Sequence, residues 1–326
     1  MLPERVTDQA EGLRRLLLRA SAHVVTVAAA RAGLGATSVV VNLAAALARA
    51  GKDVLVLDEN LSHDNVGNML ALKPRYDLLN VVRCDKTWRE IMLHPQPGVR
   101  VLPAARAIQA LPQLSAPERE RLLQCLTEAS RGVDIVLVDA ATSAASARGS
   151  PRTGHFPSTK IGAGSIPPVG ALKAHSPFSA SLAPDQPLLL VLNASASAIT
   201  ESYALIKRMA MQDGRQSFEM VVNKARDEQE ARAIFGNVAQ VARRHLQVRV
   251  EFLGYIPLDD KLKRATQLCR PVVEAFPSAQ SALAFGELGR NLTLLPAAGN
   301  GEAGGLPDVV QRLMRQARLQ NTAHAT

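Results

Sequence analysis

The chain has 326 residues, of which 47% are hydrophobic and 3% aromatic, and it carries a formal net charge of +9. That length suits one large α/β domain with appendages, or two small domains. The basic residues are scattered and not interleaved with aromatic ones, which argues against a specific nucleic-acid patch and permits only weak attraction to acidic lipid or nucleic acid. The three widely spaced cysteines, Cys84, Cys125 and Cys269, show neither a disulfide framework nor a metal-binding spacing.

The N-terminal segment, residues 1–20, predicts a short helix over residues 7–19, because Asp8 and Glu11 have the spacing of a capping box. A basic pair before three leucines imitates a signal peptide, but Arg19 and His23 interrupt the apolar run. No stretch of the sequence is apolar for long enough to span a membrane. We therefore expect a protein of the cytoplasm.

Apolar strands and amphipathic helices then alternate along the chain. Residues 23–29 predict a buried strand; a glycine-containing turn follows, then a helix over residues 37–50. Residues 53–58 predict a second strand, which ends in Asp58. Helices are expected over residues 85–92 and 117–130, and strands over residues 99–102 and 134–139, the last ending in Asp139.

Residues 143–186 interrupt this alternation with Ser, Pro, Gly and Ala in no periodic order, which predicts a disordered insertion. The alternation resumes over residues 187–296, with predicted strands at 188–193, 218–223 and 248–254 and helices at 199–211, 229–245, 259–267 and 278–292. Together with residues 21–142, this segment predicts one α/β domain: a doubly wound, mainly parallel sheet of seven or eight strands with helices on both faces. A linker and an amphipathic helix are expected within residues 297–326.

The turn over residues 30–38 lies between a strand and a helix, which is where a phosphate-binding loop belongs. Gly33 and Gly35 let backbone N–H groups converge on phosphate oxygens, and Thr37 offers a hydroxyl for Mg²⁺. The position of the phosphate-binding lysine is occupied by Ala36, and that of the first glycine by Ala30. A tight strand-to-helix turn without a ligand is the alternative interpretation.

Residues 23–60 resemble the beginning of the MinD/ParA-type P-loop ATPases, whose loop reads GGKGGVGKT before a helix that carries VNLA. In that family a second lysine early in the loop reaches the partner's nucleotide across a dimer, and Arg31 occupies its position here. The family's water-positioning Asp is replaced by Asn60, so no residue is confidently assigned as catalytic. The resemblance implies an ATPase, with activity weakened or lost by these replacements.

The resemblance also implies a nucleotide site for ATP or ADP with Mg²⁺. Thr37 and Asp139 would support the Mg²⁺, the latter indirectly. Asn223 and Pro257 lie in segments that resemble those contacting adenine. The implied nucleotide-binding residues are Arg31, Gly33, Leu34, Gly35, Ala36, Thr37, Ser38, Asp58, Asp139, Asn223 and Pro257. Taken alone, an asparagine such as Asn223 after a buried strand is usually a turn residue.

Within that family, the order and spacing of several segments resemble the FlhG/FleN flagellar-number regulators. Residues 8–14 resemble their N-terminal DQAxxLR element, which stimulates an FlhF-type GTPase, and the matching residues are Asp8, Gln9, Ala10, Leu13 and Arg14. An ordinary N-terminal helix is the alternative for this segment. The resemblance implies a regulator of flagellar number or placement whose partners are an FlhF-type GTPase and a transcriptional activator or switch-complex protein.

The predicted helix over residues 307–319 has arginines around an apolar face, and the family carries a membrane-targeting helix there. An anionic membrane surface and a homodimer are therefore further implied partners, and a solvated surface helix is the alternative. Three other functions remain open: an active ATPase switch between cytoplasm and membrane, a DNA-partitioning ATPase, and a Rossmann dehydrogenase. The dehydrogenase is disfavoured because Ser38 stands where the third glycine is needed.

Overall fold

The computed structural model describes residues 22–140 and 186–295. Across both ranges the chain forms one eight-stranded sheet. Most strands are short apolar runs that are buried along nearly their whole length, as expected for a parallel sheet covered on two faces. The strands are β1 (His23–Ala29), β2 (Val54–Asp58), β3 (Leu93–Gln96), β4 (Val99–Pro103), β5 (Ile135–Asp139), β6 (Leu188–Asn193), β7 (Ser217–Ala225) and β8 (Arg249–Pro257).

The strands lie in the order β3-β4-β2-β5-β1-β6-β7-β8. Every neighbouring pair is parallel except β3 and β4, which are antiparallel. The central strand β1 pairs with β5 on one side and with β6 on the other, so it joins the two described ranges of the chain. The predicted fold class, a doubly wound and mainly parallel α/β sheet, is confirmed.

Helices connect the strands, and local side chains set several of their ends. Ser115 and Glu118 form a capping box at the start of one helix, and Asp227 caps another by accepting a hydrogen bond from the Glu230 backbone. The helices are α1 (Ala36–Arg49), α2 (Val66–Met69), α3 (Leu78–Val82), α4 (Trp88–Ile91), α5 (Ala105–Ala110), α6 (Ala116–Ala129), α7 (Ala196–Gln212), α8 (Glu228–Leu246), α9 (Asp260–Gln267), α10 (Val272–Ala275) and α11 (Gln280–Thr293).

The two faces of the sheet carry separate apolar cores. On one face α1 and α11 pack on residues such as Val25 and Leu137. On the opposite face α3, α5 and α6 cover Leu55 and Val136, and α7 and α8 cover Leu190. This sandwich leaves the carboxyl ends of the strands along one edge, where ligands bind in open α/β sheets.

Between β2 and β5 the structure shortens one predicted helix and adds elements that the sequence did not predict. The predicted helix over residues 85–92 is only the four-residue α4, whereas α2, α3 and α5 were not predicted. The antiparallel edge strand β3 was also missed, because Pro95 and polar neighbours obscure its pattern. The predicted N-terminal helix, the insertion and the C-terminal helix lie outside the described residues, apart from Gln186. Within residues 22–140 and 186–295, no helix is long and apolar enough to cross a bilayer.

Candidate nucleotide site

The turn between β1 and α1 has the backbone of a phosphate-binding loop. Gly33 and Gly35 adopt φ angles of 84° and 102°, in the left-handed region that glycine tolerates. Gly35 directly precedes the first residue of α1, so the N–H groups that begin this helix are aimed toward the carboxyl edge of the sheet. The backbone part of an anion cradle is therefore present.

The charged part of such a cradle differs from the pattern of the resembling family. Ala36 begins α1 and is buried, so no ammonium group enters the loop at this position. The exposed Arg31 side chain forms an ion pair with Glu201 of α7, with 2.7 Å between Arg31 Nε and Glu201 Oε2. Arg31 is thus engaged within its own chain, and Glu201 is a partner that the sequence did not indicate.

Thr37 connects the loop to the ends of two strands. Its hydroxyl donates to Asp139 Oδ2 at 2.8 Å, and it accepts a hydrogen bond from Asn60 Nδ2 at 3.2 Å. All three side chains are buried. Because Thr37 has only one hydroxyl proton and an amide nitrogen only donates, the hydrogen bonds run from Asn60 to Thr37 to Asp139.

Buried carboxyl groups gather beside this chain of hydrogen bonds. Asp58 and Asp139 are register partners on β2 and β5, and the side chain of Glu59 is also buried. Burial raises the pKa of Asp58 to about 6, although hydrogen bonds from the backbone of Asn60 and Gly67 lower it. Burial and then the neighbouring Asp58 charge raise the pKa of Asp139 well above its usual value. The sequence reasoning missed Glu59, although it stands between two recognised positions.

Asn223, near the end of β7, contacts the loop from the side of β1 opposite to Asp58 and Asp139. Its Nδ2 donates to the Leu34 carbonyl at 2.9 Å, and it lies directly against Gly35. Within α1, the side chain of Asn42 donates a hydrogen bond to the Ser38 carbonyl. Pro257 ends β8, one strand further from β1 than Asn223, and pairs with Ala225.

The structure therefore brings most predicted site residues to one place. Thr37, Asn60, Asp58 and Asp139 form one connected cluster, and Asn223 contacts the loop. Asp8, Gln9, Ala10, Leu13 and Arg14 lie outside the described residues. In the described part of the chain, no three His, Cys, Asp or Glu side chains are arranged to hold a metal ion.

The residues of this site are only partly suited to bind a nucleotide with Mg²⁺. The glycine backbone and the N-terminus of α1 can bind phosphate oxygens. The Thr37 hydroxyl that would face Mg²⁺, however, is already hydrogen-bonded to Asp139 and Asn60. No positive charge stands at position 36 to balance the phosphates. The arrangement is that of a P-loop nucleotide-binding protein in which Ala36 and Asn60 stand where the resembling family has charged groups.

Comparison with known proteins agrees with this assignment. Residues 25–272 match the CobQ/CobB/MinD/ParA nucleotide binding domain. The chain also shares its fold with the septum site-determining protein MinD of Pyrococcus horikoshii complexed with Mg-ADP, at 19% identity and a TM-score of 0.55 over 84% of this chain and 96% of that one. The chain belongs to the CobQ/CobB/MinD/ParA family of nucleotide-binding proteins.

Two relatives indicate which members of this family the chain resembles. The chain is 32% identical to the antiactivator FleN of Pseudomonas aeruginosa over 293 residues, which cover 90% of this chain and 94% of FleN. It is 23% identical to the flagellum site-determining protein YlxH of Helicobacter pylori over 74% of this chain and 71% of that protein. The resemblance to FlhG/FleN regulators inferred from the sequence is thereby confirmed.

Proposed function

We propose that this chain regulates flagellar number or placement as an antiactivator-type member of its family. The 32% identity that extends over 94% of FleN carries this proposal, because it spans nearly the full length of the relative and not only the common nucleotide-binding core. The similarity to a flagellum site-determining protein points to the same process.

Nucleotide binding, in this proposal, is weak and uses mainly the backbone. The N–H groups from Arg31 to Ser38 would face the phosphates, and the nucleotide, when bound, supplies the charge that recruits Mg²⁺ near Thr37 and Asp139. Asn223 and Pro257 would lie on the side of the base. A ligand that reaches Thr37 must first disturb its hydrogen bonds to Asn60 and Asp139, which costs binding free energy.

Hydrolysis of ATP is expected to be slow or lost. A group that stabilises transition-state charge in a site of this kind contributes about 3 kcal/mol, a factor of roughly a hundred in rate. Ala36 removes one such group, and Asn60 removes the carboxylate that positions water in the resembling family. Regulation then depends on protein contacts and on the amount of the protein.

Phosphate release by the purified full chain tests this point, with an FlhF-type GTPase and anionic vesicles present. We expect little release from the unmodified protein and a gain from Ala36→Lys/Asn60→Asp, which restores both groups. The matched control is Ala36→Met/Asn60→Asp, which restores volume without the charge. Fast release by the unmodified chain that Thr37→Ala abolishes would refute slow hydrolysis.

A second candidate is an active ATPase switch that cycles between cytoplasm and membrane. It is favoured by the retained loop glycines and by the Thr37–Asp139 pair. Such a switch would bind anionic vesicles through residues 306–326 only with ATP. Co-sedimentation of the full chain and of a chain ending at residue 305, each with ATP and with ADP, separates this candidate from the first.

We also propose that the N-terminal segment acts on the GTPase partner. A peptide of residues 1–20 is expected to stimulate GTP hydrolysis by an FlhF-type GTPase. Gln9→Ala should weaken the stimulation more than Arg19→Ala, because Gln9 belongs to the element that resembles DQAxxLR and Arg19 does not. Equal activity of the two variant peptides would contradict the role of this element.

A further inference from the structure

Asn60 connects the segment after β2 to the phosphate loop. Its Nδ2 donates to Thr37 on α1, and its Oδ1 accepts from the backbone N–H of Ser62 at 2.9 Å. The carboxylate of Asp58 holds the same segment at two further points, the N–H groups of Asn60 at 3.1 Å and of Gly67 at 3.3 Å. The loop and this segment are thus joined by protein groups alone.

An aspartate at position 60 could not make the same contacts. Its carboxylate would accept hydrogen bonds only, so it could not donate to Thr37 and would compete with Asp139 for the single hydroxyl proton. It would also add a negative charge beside the buried Asp58, Glu59 and Asp139. A buried charge without a partner is strongly destabilising, so this substitution needs a compensating positive group.

This chain departs from the family pattern at positions 36 and 60, and the two changes together leave the net charge of the site unaltered. The resemblance places a lysine at position 36 and an aspartate at position 60, whereas this chain has Ala36 and Asn60. One positive and one negative charge are both absent, so the sum over the two positions is the same. The amide of Asn60 supplies a neutral donor to Thr37.

We infer that Asn60 is a positioning residue that holds the Thr37 hydroxyl on Asp139 without nucleotide, and that positions 36 and 60 are matched in charge, so that an aspartate at position 60 requires a lysine at position 36. The segment after β2 is therefore kept in one arrangement by the protein itself. This inference deepens the proposed function, since it explains how a regulator with weak nucleotide binding keeps its loop ordered. Its test uses stability without nucleotide, so it can fail independently of the flagellar role.

Thermal unfolding of the full chain at pH 8 without nucleotide is the test. Asn60→Asp is expected to lower Tm by about 5 °C or more, because it buries an uncompensated charge. In the Ala36→Lys background the same substitution should lower Tm by less than half as much. In the Ala36→Met background, which fills space without charge, the full loss should remain. Asn237→Asp, at an exposed position of α8, controls for the chemical change itself and should shift Tm by about 1 °C or less.

Hydrogen exchange supplies the second measurement. Asn60→Ala removes the amide and adds no charge, so exchange across residues 61–68 should become about tenfold faster than in the unmodified chain. Asn237→Ala should leave it unchanged. Equal losses of Tm for Asn60→Asp in the Ala36→Lys, Ala36→Met and unmodified backgrounds would overturn this matching of charge. Unchanged exchange in Asn60→Ala would overturn the positioning role.

Discussion

Asn223 lies so close to Gly35 that a Cβ atom on the glycine would fall well inside 3.0 Å of the Asn223 amide nitrogen. The same nitrogen donates to the carbonyl of Leu34, so the end of β7 is fastened to the phosphate loop. This contact leaves no room for a side chain at position 35, and it makes the loop depend on a residue about 190 positions away.

Gly35→Ala is therefore expected to destabilise the protein by about 3 kcal/mol, the sum of left-handed backbone strain and the collision with Asn223. Gly33→Ala is the matched control, because its φ is also positive but open space surrounds it; it should cost about 1 kcal/mol. Urea unfolding measures both. The Gly35→Ala/Asn223→Ala double variant should lose less than the sum of its single losses. Equal effects at the two glycines would show that the collision does not matter.

Asn42 makes one hydrogen bond from α1 to α10 and a second within α1. Its Oδ1 accepts from the Val272 backbone at 2.6 Å, and its Nδ2 donates to the Ser38 carbonyl at 2.8 Å. Asn42→Ala leaves the buried N–H of Val272 without its partner, so we expect a loss of about 2 kcal/mol in the free energy of unfolding. Asn237→Ala, on the exposed side of α8, should change it by less than about 0.5 kcal/mol. A loss from Asn42→Ala as small as that of the control would contradict the role of the link.

The Arg31–Glu201 ion pair is expected to contribute little to stability despite its 2.7 Å separation. Both side chains are about two-fifths exposed, at 45% and 40%, so water and salt screen their attraction. A double-mutant cycle with Arg31→Ala and Glu201→Ala should give a coupling of about 0.5 kcal/mol or less, falling further in 1 M NaCl. A salt-insensitive coupling above about 1.5 kcal/mol would mean that the pair is a structural support of the loop.

The thiol of Cys125 should resist modification in the folded protein. Burial, and to a lesser extent the charge of Glu128, raises the pKa of Cys125 to about 12, whereas Cys84 is exposed. At pH 8 the reactive thiolate of Cys125 is rare, on the order of one molecule in ten thousand. Two variants isolate these thiols: Cys84→Ser/Cys269→Ser retains Cys125, and Cys125→Ser/Cys269→Ser retains Cys84.

Reaction with a chromogenic disulfide reagent compares the two variants. The retained Cys84 should react at least about a hundredfold faster at pH 8, and the difference should vanish in denaturant. As the pH rises from 7 to 9, the rate of Cys125 should stay low, because the ionisation of Cys125 lies near pH 12. Equal rates in the folded protein would contradict the burial of Cys125.

Much of the fold follows from local patterns that the sequence displays directly. The buried strand over residues 188–193 was predicted with the observed bounds, and α1, α6, α8 and α9 were predicted to within one residue at either end. These elements have clear periodicity or capping residues. The short α3 has a capping box at Asp77 but too few residues to show periodicity, and the edge strand β3 contains Pro95. The formation of both depends on neighbours that are distant in sequence.

The sequence by itself determined the main alternation of strands and helices, the phosphate loop with its missing lysine, and the family. These are properties of consecutive residues, because a helix, a glycine turn or a motif is recorded within a few positions. Three contacts were decided only by the tertiary structure. Asn60 donates a hydrogen bond to Thr37, and Arg31 forms an ion pair with Glu201. Asn223 lies directly against Gly35. Each of these contacts joins different elements at the edge of the sheet. Their partners are therefore selected by the packing of strands and helices, which no local pattern encodes.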